Sequence, residues 1–223
     1  MKIITIIPAR GGSKEIPKKN ILDILGKPLL AWSVEQSLQT TKVESTYVSS
    51  DCDEILSVAS NFGAKTISRP AEHASDTASS ESAVIHAINS IEEDFDAVLF
   101  MQATSPLRLR DDLKNAIIQF EQNSYDSMFS GGILEDFLIW EKNDENFSSF
   151  NYDYKKRGIR QNRVPQYVEN GSFYISKKHI YLNEKNRLGG RIGCYEMQAW
   201  QHHEIDSYED IEINEYFLKK KIQ

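Results

Sequence analysis

The chain has 223 residues, 40% hydrophobic and 26% charged, a size and composition suited to one α/β domain with a small appendage and a sizeable core. A net charge of −7 excludes the broad basic face with which a general nucleic-acid binder releases counterions, while leaving room for a local basic pocket. Two cysteines outside any metal-ligand spacing, an N-terminal apolar run too short for a signal peptide and no stretch near the roughly 20 apolar residues of a membrane helix point to a soluble cytoplasmic chain that enters no membrane.

Ile3–Ile7 is a short apolar, β-branched run of the kind that forms a buried parallel strand. Apolar positions at Leu29, Leu30, Trp32, Val34 and Leu38 predict a helix over Pro28–Gln39, and a strand follows at Ser45–Ser49. Asp53–Phe62 reads as a helix that buries Ile55, Leu56, Val58, Ala59 and Phe62 and stops at Gly63. Strands at Ala64–Ser68, Ala97–Met101 and Ser127–Ser130 then alternate with helices at Ser80–Ile91 and Asp111–Gln122. Strands alternating with helices of ten or more residues mean right-handed βαβ units. The expected fold is a Rossmann-like three-layer α/β/α domain with a mostly parallel sheet. Such sheets bind ligands at the carboxyl ends of their strands. The loops Pro8–Asn20, Arg69–Ser79 and Gln102–Arg108 leave those ends.

From Ile133 to Pro165 the rhythm changes: apolar Leu134, Phe137, Leu138, Ile139 and Trp140 precede a polar, aromatic-spotted stretch. This segment reads as an excursion from the main sheet that packs on a second subunit. Strand character resumes at Gly171–Ser176 and Ile192–Met197, and a helix over Tyr208–Lys221 ends the chain. Residues 1–223 are therefore read as one domain, with a dimerisation excursion at 133–165.

The first loop has the composition of a phosphate cradle. Gly11 and Gly12 let backbone amides turn toward an anion without interference from a Cβ. Arg10, Lys14, Lys18 and Lys19 concentrate positive charge in an otherwise acidic chain, as a triphosphate and its pyrophosphate leaving group require. The loop is neither G-x-x-x-x-G-K-[ST] nor G-x-G-x-x-G. Far downstream, Glu204 and Asp206 are two apart on an extended segment and point the same way, so they can share one Mg²⁺ whose other ligands are phosphate oxygens and water. Glu209 and Asp210 suit the start of the final helix. The histidines at 73, 86, 179, 202 and 203 have no zinc-like spacing and read as structural.

"IPARGGSKEIPKKN" at the first loop closely resembles the signature of the acylneuraminate (CMP-sialic acid) cytidylyltransferases and the wider sugar-acid cytidylyltransferase group. The other motifs follow in order: "RPAEHASDTASS" at Arg69–Ser80, "QATSPLR" at Gln102–Arg108, "RQNRVPQYVENGSFY" at Arg160–Tyr174 and "HEIDSYEDIEI" at His203–Ile213. The resemblance spans essentially the whole chain. It implies that Arg10, Gly11, Gly12, Ser13, Lys14, Lys19 and Asn20 hold the nucleotide, with Arg69, Ser80 and the backbone near Ala78 reading the cytosine edge. It implies that Gln102 points into a sugar site completed by Arg160, Gln161, Asn170 and Tyr174, where Arg160 would meet the substrate carboxylate. It implies metal ligation by Asp206, with Glu204 standing where the family usually has aspartate. Two further departures are Ala103 in place of proline and Phe137-Leu138-Ile139-Trp140 where bacterial relatives often carry a lysine after a Pro-Leu turn. The stretches "ENGSFYISKKHI" and "GGRIGCYEM" look closer to the animal-type enzymes.

The implied reaction joins CMP, from CTP with Mg²⁺ or Mn²⁺, to the C2 hydroxyl of N-acetylneuraminate or a related nonulosonic acid. Arg10, Lys14, Lys19 and Asp206 would be its catalytic residues, and the enzyme would be a homodimer. Legionaminate, pseudaminate, Kdn and Kdo are the rival substrates, with nine-carbon acids favoured over Kdo. An inert nucleotide or sugar-acid binder on the same fold is opposed by the presence of Lys19 and Asp206, and a P-loop kinase by the missing Walker A motif.

Overall fold

The computed structural model describes residues 1–13, 15–75, 77–134, 137–159, 161 and 163–222. The chain opens with β1 (Ile3–Pro8), a miniature hairpin of β2 (Asp23–Ile24) and β3 (Lys27–Pro28), α1 (Leu29–Leu38) and β4 (Ser45–Ser50). Next come α2 (Asp53–Asn61), β5 (Lys65–Ser68), α3 (Ser80–Ser90), β6 (Ala97–Met101), α4 (Asp112–Gln122) and β7 (Ser127–Ile133). The second half holds β8 (Trp140–Asn143), β9 (Asn146–Ser149), β10 (Tyr167–Lys177), β11 (Ile192–Glu196) and α5 (Tyr208–Phe217).

Seven strands make one sheet in the order β11-β7-β10-β6-β1-β4-β5. β1 pairs in parallel with β4 and β6, as does β4 with β5 and β7 with β11. β10 runs against both of its neighbours, β6 and β7. Two-residue periodicity sorts β1 onto two cores. Ile3 and Ile7 face α1, α2 and α4 through Leu30, Val34, Ile55, Ala59, Leu113, Ile117 and Phe120. Ile4 and Ile6 face α3 through Val84, Ala87 and Ile88. The result is the expected three-layer α/β/α arrangement. Each isoleucine so buried contributes about 1.5–3 kcal/mol. A third cluster under α5 joins Ile16, Ile24, Leu29, Trp32, Leu107, Ile205 and Leu218, and it seats the first loop and the 204–206 segment against the same end of the sheet.

Helix ends follow local chemistry. Ser79 Oγ caps α3 by accepting the Ser82 N–H at 3.1 Å. Ser207 and Asp210 form a reciprocal capping box on α5. Gly63, at φ +91°, supplies the left-handed residue that ends α2. The final helix stops at Phe217 and continues as a wider turn over Leu218–Ile222 rather than running to Lys221. β10 starts at Tyr167, four residues ahead of the expected strand. Within the 133–165 excursion, β8 and β9 pair with each other as a separate hairpin. Both cysteines are free thiols. No helix among the described residues is long and apolar enough to cross a membrane.

Candidate active site

A cavity of about 280 Å³ opens at the carboxyl ends of β1 and β6. It is lined by Pro8, Arg10, Ser13, Lys19, Asn20, Ser80, Phe100, Gln102, Ala103, Thr104, Glu204 and Asp206. Residues from four separated stretches of sequence thus meet around one volume.

The first loop is pinned from both sides. Ala9 N–H donates to the Ser49 carbonyl at 2.9 Å, and the Asn20 side chain donates to the Arg10 carbonyl at 2.9 Å. Gly11 N–H donates to Asp51 Oδ1 at 2.9 Å, so this amide is spent within the protein rather than turned toward an anion. Close approach explains the glycine: a Cβ there would lie 2.8 Å from the Cys52 Cβ. Gly12 is exposed, with open space where its Cβ would be. Lys14 lies outside the described residues.

Arg69 stands beside this loop with only 4% of its side chain exposed. Its Nε and one terminal nitrogen have no hydrogen-bond partner, and the nearest carboxylate oxygen, Asp51 Oδ1, is 3.8 Å away. Burial pulls Arg69 below the usual guanidinium range; the neighbouring Arg10 acts the same way, and Asp51 opposes both. Arg69 is not among the residues that line the cavity, and its two unpartnered nitrogens are buried. Ser80 reaches the cavity at the start of α3, while Ala78 does not line it and its N–H donates to the Ser75 carbonyl.

On the opposite wall, Ile205 is fully buried and its N–H donates to the Thr104 carbonyl at 2.8 Å. Alternation then turns Glu204 and Asp206 together into the cavity. Lys19 Nζ meets Asp206 Oδ1 at 2.8 Å. Burial, then the charge and hydrogen bond of Asp206, push the Glu204 carboxyl up to about 6. Two acids crowded this closely, with one of them half-buried, suit a hard cation that takes oxygen ligands. Among the described residues no cluster of three or more His, Cys, Asp or Glu could hold a metal, so further ligands would have to come from substrate and water.

Gln102 is the one residue among the described sugar-site expectations that lines the cavity. Asn170 is internal: its Oδ1 accepts from Ser130 Oγ at 2.7 Å and from Ser172 N–H at 3.1 Å, and its amide nitrogen faces Met197 Sδ. Tyr174 stacks on Phe100 in the core and donates its hydroxyl to Glu169 at 2.7 Å. Gln161 is exposed in the excursion, away from the cavity lining, and Arg160 lies outside the described residues. For Asn170 and Tyr174, β10 is irregular between Glu169 and Tyr174, a bulge that resets which side chains face which way.

Three residues not singled out in the sequence shape the site. Gly171, at φ +68°, sits on the bulge where a Cβ would lie 2.7 Å from Gln102 Nε2 and 3.4 Å from Glu204 Oε2. Arg108, fully buried, donates to the carbonyls of Gln102 at 2.8 Å and Ser172 at 2.5 Å, and to Ser33 and Gln36 on α1. Asp51 lies between Gly11 and Arg69. Position was the available signal for Asp51, which directly follows a strand at the binding edge of the sheet.

A larger cavity of about 470 Å³ lies in the excursion, between Ile133, Phe137, Tyr152, Ile159 and Val164. It holds none of the carboxylate and phosphate-loop residues, and its walls include exposed apolar side chains.

A family model described as cytidylyltransferase matches residues 4–222. A pseudaminic acid cytidylyltransferase of Campylobacter jejuni subsp. jejuni serotype O:23/36 is 33% identical over 98% of this chain and 97% of its own. An N-acylneuraminate cytidylyltransferase of Escherichia coli O18:K1:H7 is also 33% identical over 99% of this chain, but this chain spans only 53% of that relative. Among solved structures, a CMP:2-keto-3-deoxy-manno-octonic acid synthetase complexed with CTP aligns over 100% of both chains with a TM-score of 0.75 at 18% identity, a likeness of fold.

Proposed function

The chain belongs to the cytidylyltransferase family, and from that premise we propose that it transfers CMP from CTP to the C2 hydroxyl of N-acetylneuraminate or a closely related nonulosonic acid, releasing pyrophosphate. The observation that carries this reading is the cavity whose lining brings together Arg10 and Lys19, Glu204 and Asp206, and Gln102. A cationic wall for phosphates opposite a carboxylate wall is what phosphoryl-group chemistry needs from a protein.

In this mechanism Arg69 offers its idle N–H donors to the O2 and N3 acceptors of cytosine, and Ser80 and the backbone near Ala78 complete the base contacts. Arg10, Lys14 and Lys19 hold the phosphates, with Ser13 and the Gly12 backbone around them and Gly11 setting the path of the loop. The C2 hydroxyl oxygen attacks the α-phosphorus in line, the bond to the bridging oxygen breaks so that pyrophosphate leaves, and the hydroxyl proton passes to solvent water. Arg10, Lys14 and Lys19 stabilise the charge that develops on the departing pyrophosphate. Gln102, with Arg160 on the substrate carboxylate, orients the sugar acid, and such positioning supplies up to roughly 7–11 kcal/mol in favourable cases. Asp206 and Glu204 would hold the divalent ion. When bound, Mg²⁺ (or Mn²⁺) would supply Lewis-acid charge to the phosphate groups.

Pseudaminate is the second acceptor to weigh, because the relative named for it matches this chain almost end to end. Legionaminate, Kdn and Kdo complete the panel. The enzyme works in the cytoplasm as a homodimer, with the 133–165 excursion of one subunit against the other. The test is pyrophosphate release from CTP and Mg²⁺ across these acids, with Asp206→Ala as control. Turnover with one acid, lost in the variant, supports the reading; CTP binding without turnover on any of them would sink it.

A further inference from the structure

Asp51 touches both halves of the nucleotide site without lining the cavity itself. Its Oδ1 accepts the Gly11 N–H at 2.9 Å, and the same oxygen is 3.8 Å from a terminal nitrogen of Arg69. The backbone supports both contacts. Ala9 N–H donates to the Ser49 carbonyl and Arg69 N–H to the Ser50 carbonyl, so the first loop and the arginine are each laced to the strand that Asp51 follows. The missing Cβ of Gly11 lets the loop rest directly on Asp51 and Cys52.

The charges make Asp51 more than a spacer. Arg69 is buried and Arg10 is close enough to disfavour its positive charge, while the Asp51 carboxylate acts the other way. A buried guanidinium next to another requires a counter-charge. At 3.8 Å the carboxylate supplies that charge without taking a hydrogen bond, so two of the Arg69 nitrogens remain unpartnered. A closer aspartate would spend the donors that a base needs.

We propose that Asp51 is a positioning residue that couples the phosphate loop to the base-reading arginine: one oxygen fixes the Gly11 amide, and its charge holds Arg69 in place with its donors free. This rests on the CTP reading above. Its removal should act on the nucleotide, and on the choice of base in particular, while the sugar-acid side is untouched.

The test uses the full chain as wild type, Asp51→Ala and Asp51→Asn. Pyrophosphate release gives KM and kcat with CTP and UTP, calorimetry gives CTP binding, and thermal melting gives stability. Losing a charge-assisted hydrogen bond and the counter-charge should raise the CTP KM of Asp51→Ala about ten- to a hundredfold, leave the sugar-acid KM within about twofold, and narrow CTP-over-UTP discrimination. Asp51→Asn keeps an acceptor for Gly11 and should recover part of the CTP KM but not the discrimination. An unchanged CTP KM in Asp51→Ala overturns the assignment, as does a parallel rise of both KM values that tracks a lower melting temperature. Should Asp51→Ala not fold, wild-type base discrimination in Asp51→Asn overturns it equally. Wild-type protein that does not bind CTP overturns the CTP reading and this proposal together; equal CTP binding by wild type and the alanine variant removes the Asp51 role alone.

Discussion

Lys19 Nζ and Asp206 Oδ1 meet at 2.8 Å although 187 positions separate them in the chain. The lysine is largely covered and the aspartate about half exposed. Lys19 follows β1 and Asp206 precedes α5, so this contact joins the first loop to the last helix across the mouth of the cavity. A phosphate and its cation entering there would meet both residues at once.

Such a half-exposed pair contributes only about 0–1 kcal/mol to folding. Lys19→Ala and Asp206→Asn should therefore shift the melting temperature by less than about 4 °C while lowering kcat roughly 100-fold or more. Melting curves run beside steady-state assays check this. A fall in stability that accounts for the lost activity would make the pair structural.

Gly171→Ala should separate the two substrates. The left-handed backbone costs a residue with a Cβ about 1–2 kcal/mol, and the new methyl would press on the Gln102 amide. Displacing a substrate-orienting group by about 1 Å costs on the order of 100-fold. The expected loss is in kcat/KM for the sugar acid, with CTP binding by calorimetry retained.

Arg108→Met should cost folding rather than chemistry. It would take the guanidinium donor from the Gln102 and Ser172 carbonyls, which keep only longer bonds from Ser33 Oγ at 3.3 Å and from the Gln102 N–H at 3.2 Å, at a total of about 1–3 kcal/mol. Urea unfolding reads the total. An unchanged midpoint would mean that other donors replace the guanidinium.

The Glu81–Arg187 pair gives the protein an acid limb. Burial raises the Glu81 carboxyl, but the Arg187 hydrogen bond at 2.5 Å, the backbone at the start of α3, and the charge of Arg187 outweigh it, so Glu81 titrates below its ordinary value of 4.5. The folded state therefore binds this proton less readily than the unfolded chain. Its stabilisation is full above the ordinary value and is lost as pH falls through the folded one. Glu81→Gln should be less stable than wild type at neutral pH, and the gap in urea midpoint should close as the pH falls below the ordinary carboxyl value and through the lower folded one.

Apolar side chains of the excursion, including Phe147, Phe150 and the 83%-exposed Val164, are the surface a second subunit would cover. Sedimentation of the wild type should give twice the 25.6 kDa chain mass. Phe147→Asp combined with Val164→Asp should give the single mass.

The first half of the fold was legible because its strands are buried on both faces. Ile3–Ile7 and Ala97–Met101 are continuous apolar runs, and their bounds are met to within one residue. The hairpin of β8 and β9 was not, since its side chains are nearly all exposed and no alternation marks them. β10 was shortened for the same reason: Tyr167–Glu169 are exposed, and they pair with β7 ahead of the bulge. At the site, charge density pointed to the first loop, and the i, i+2 spacing of Glu204 and Asp206 carried through to the cavity. The facing of Asn170 and Tyr174 was beyond reach, because a bulge reverses the side-chain alternation that a motif takes for granted. No sequence signal marks Arg108, because its burial depends on carbonyls from Gln102 and from Ser172, 64 residues further on.

The place of β10 between β6 and β7 bears on how the chain is made. Synthesis from the amino end completes both flanking strands before Tyr167 emerges, so each waits with a bare edge able to pair with any other strand. The sheet closes only when its last central piece arrives, a long-range step of the kind that folds slowly. Chains cut short before residue 167 would keep both edges open and should be found in aggregates, whereas chains that reach Lys177 can seal the sheet from within.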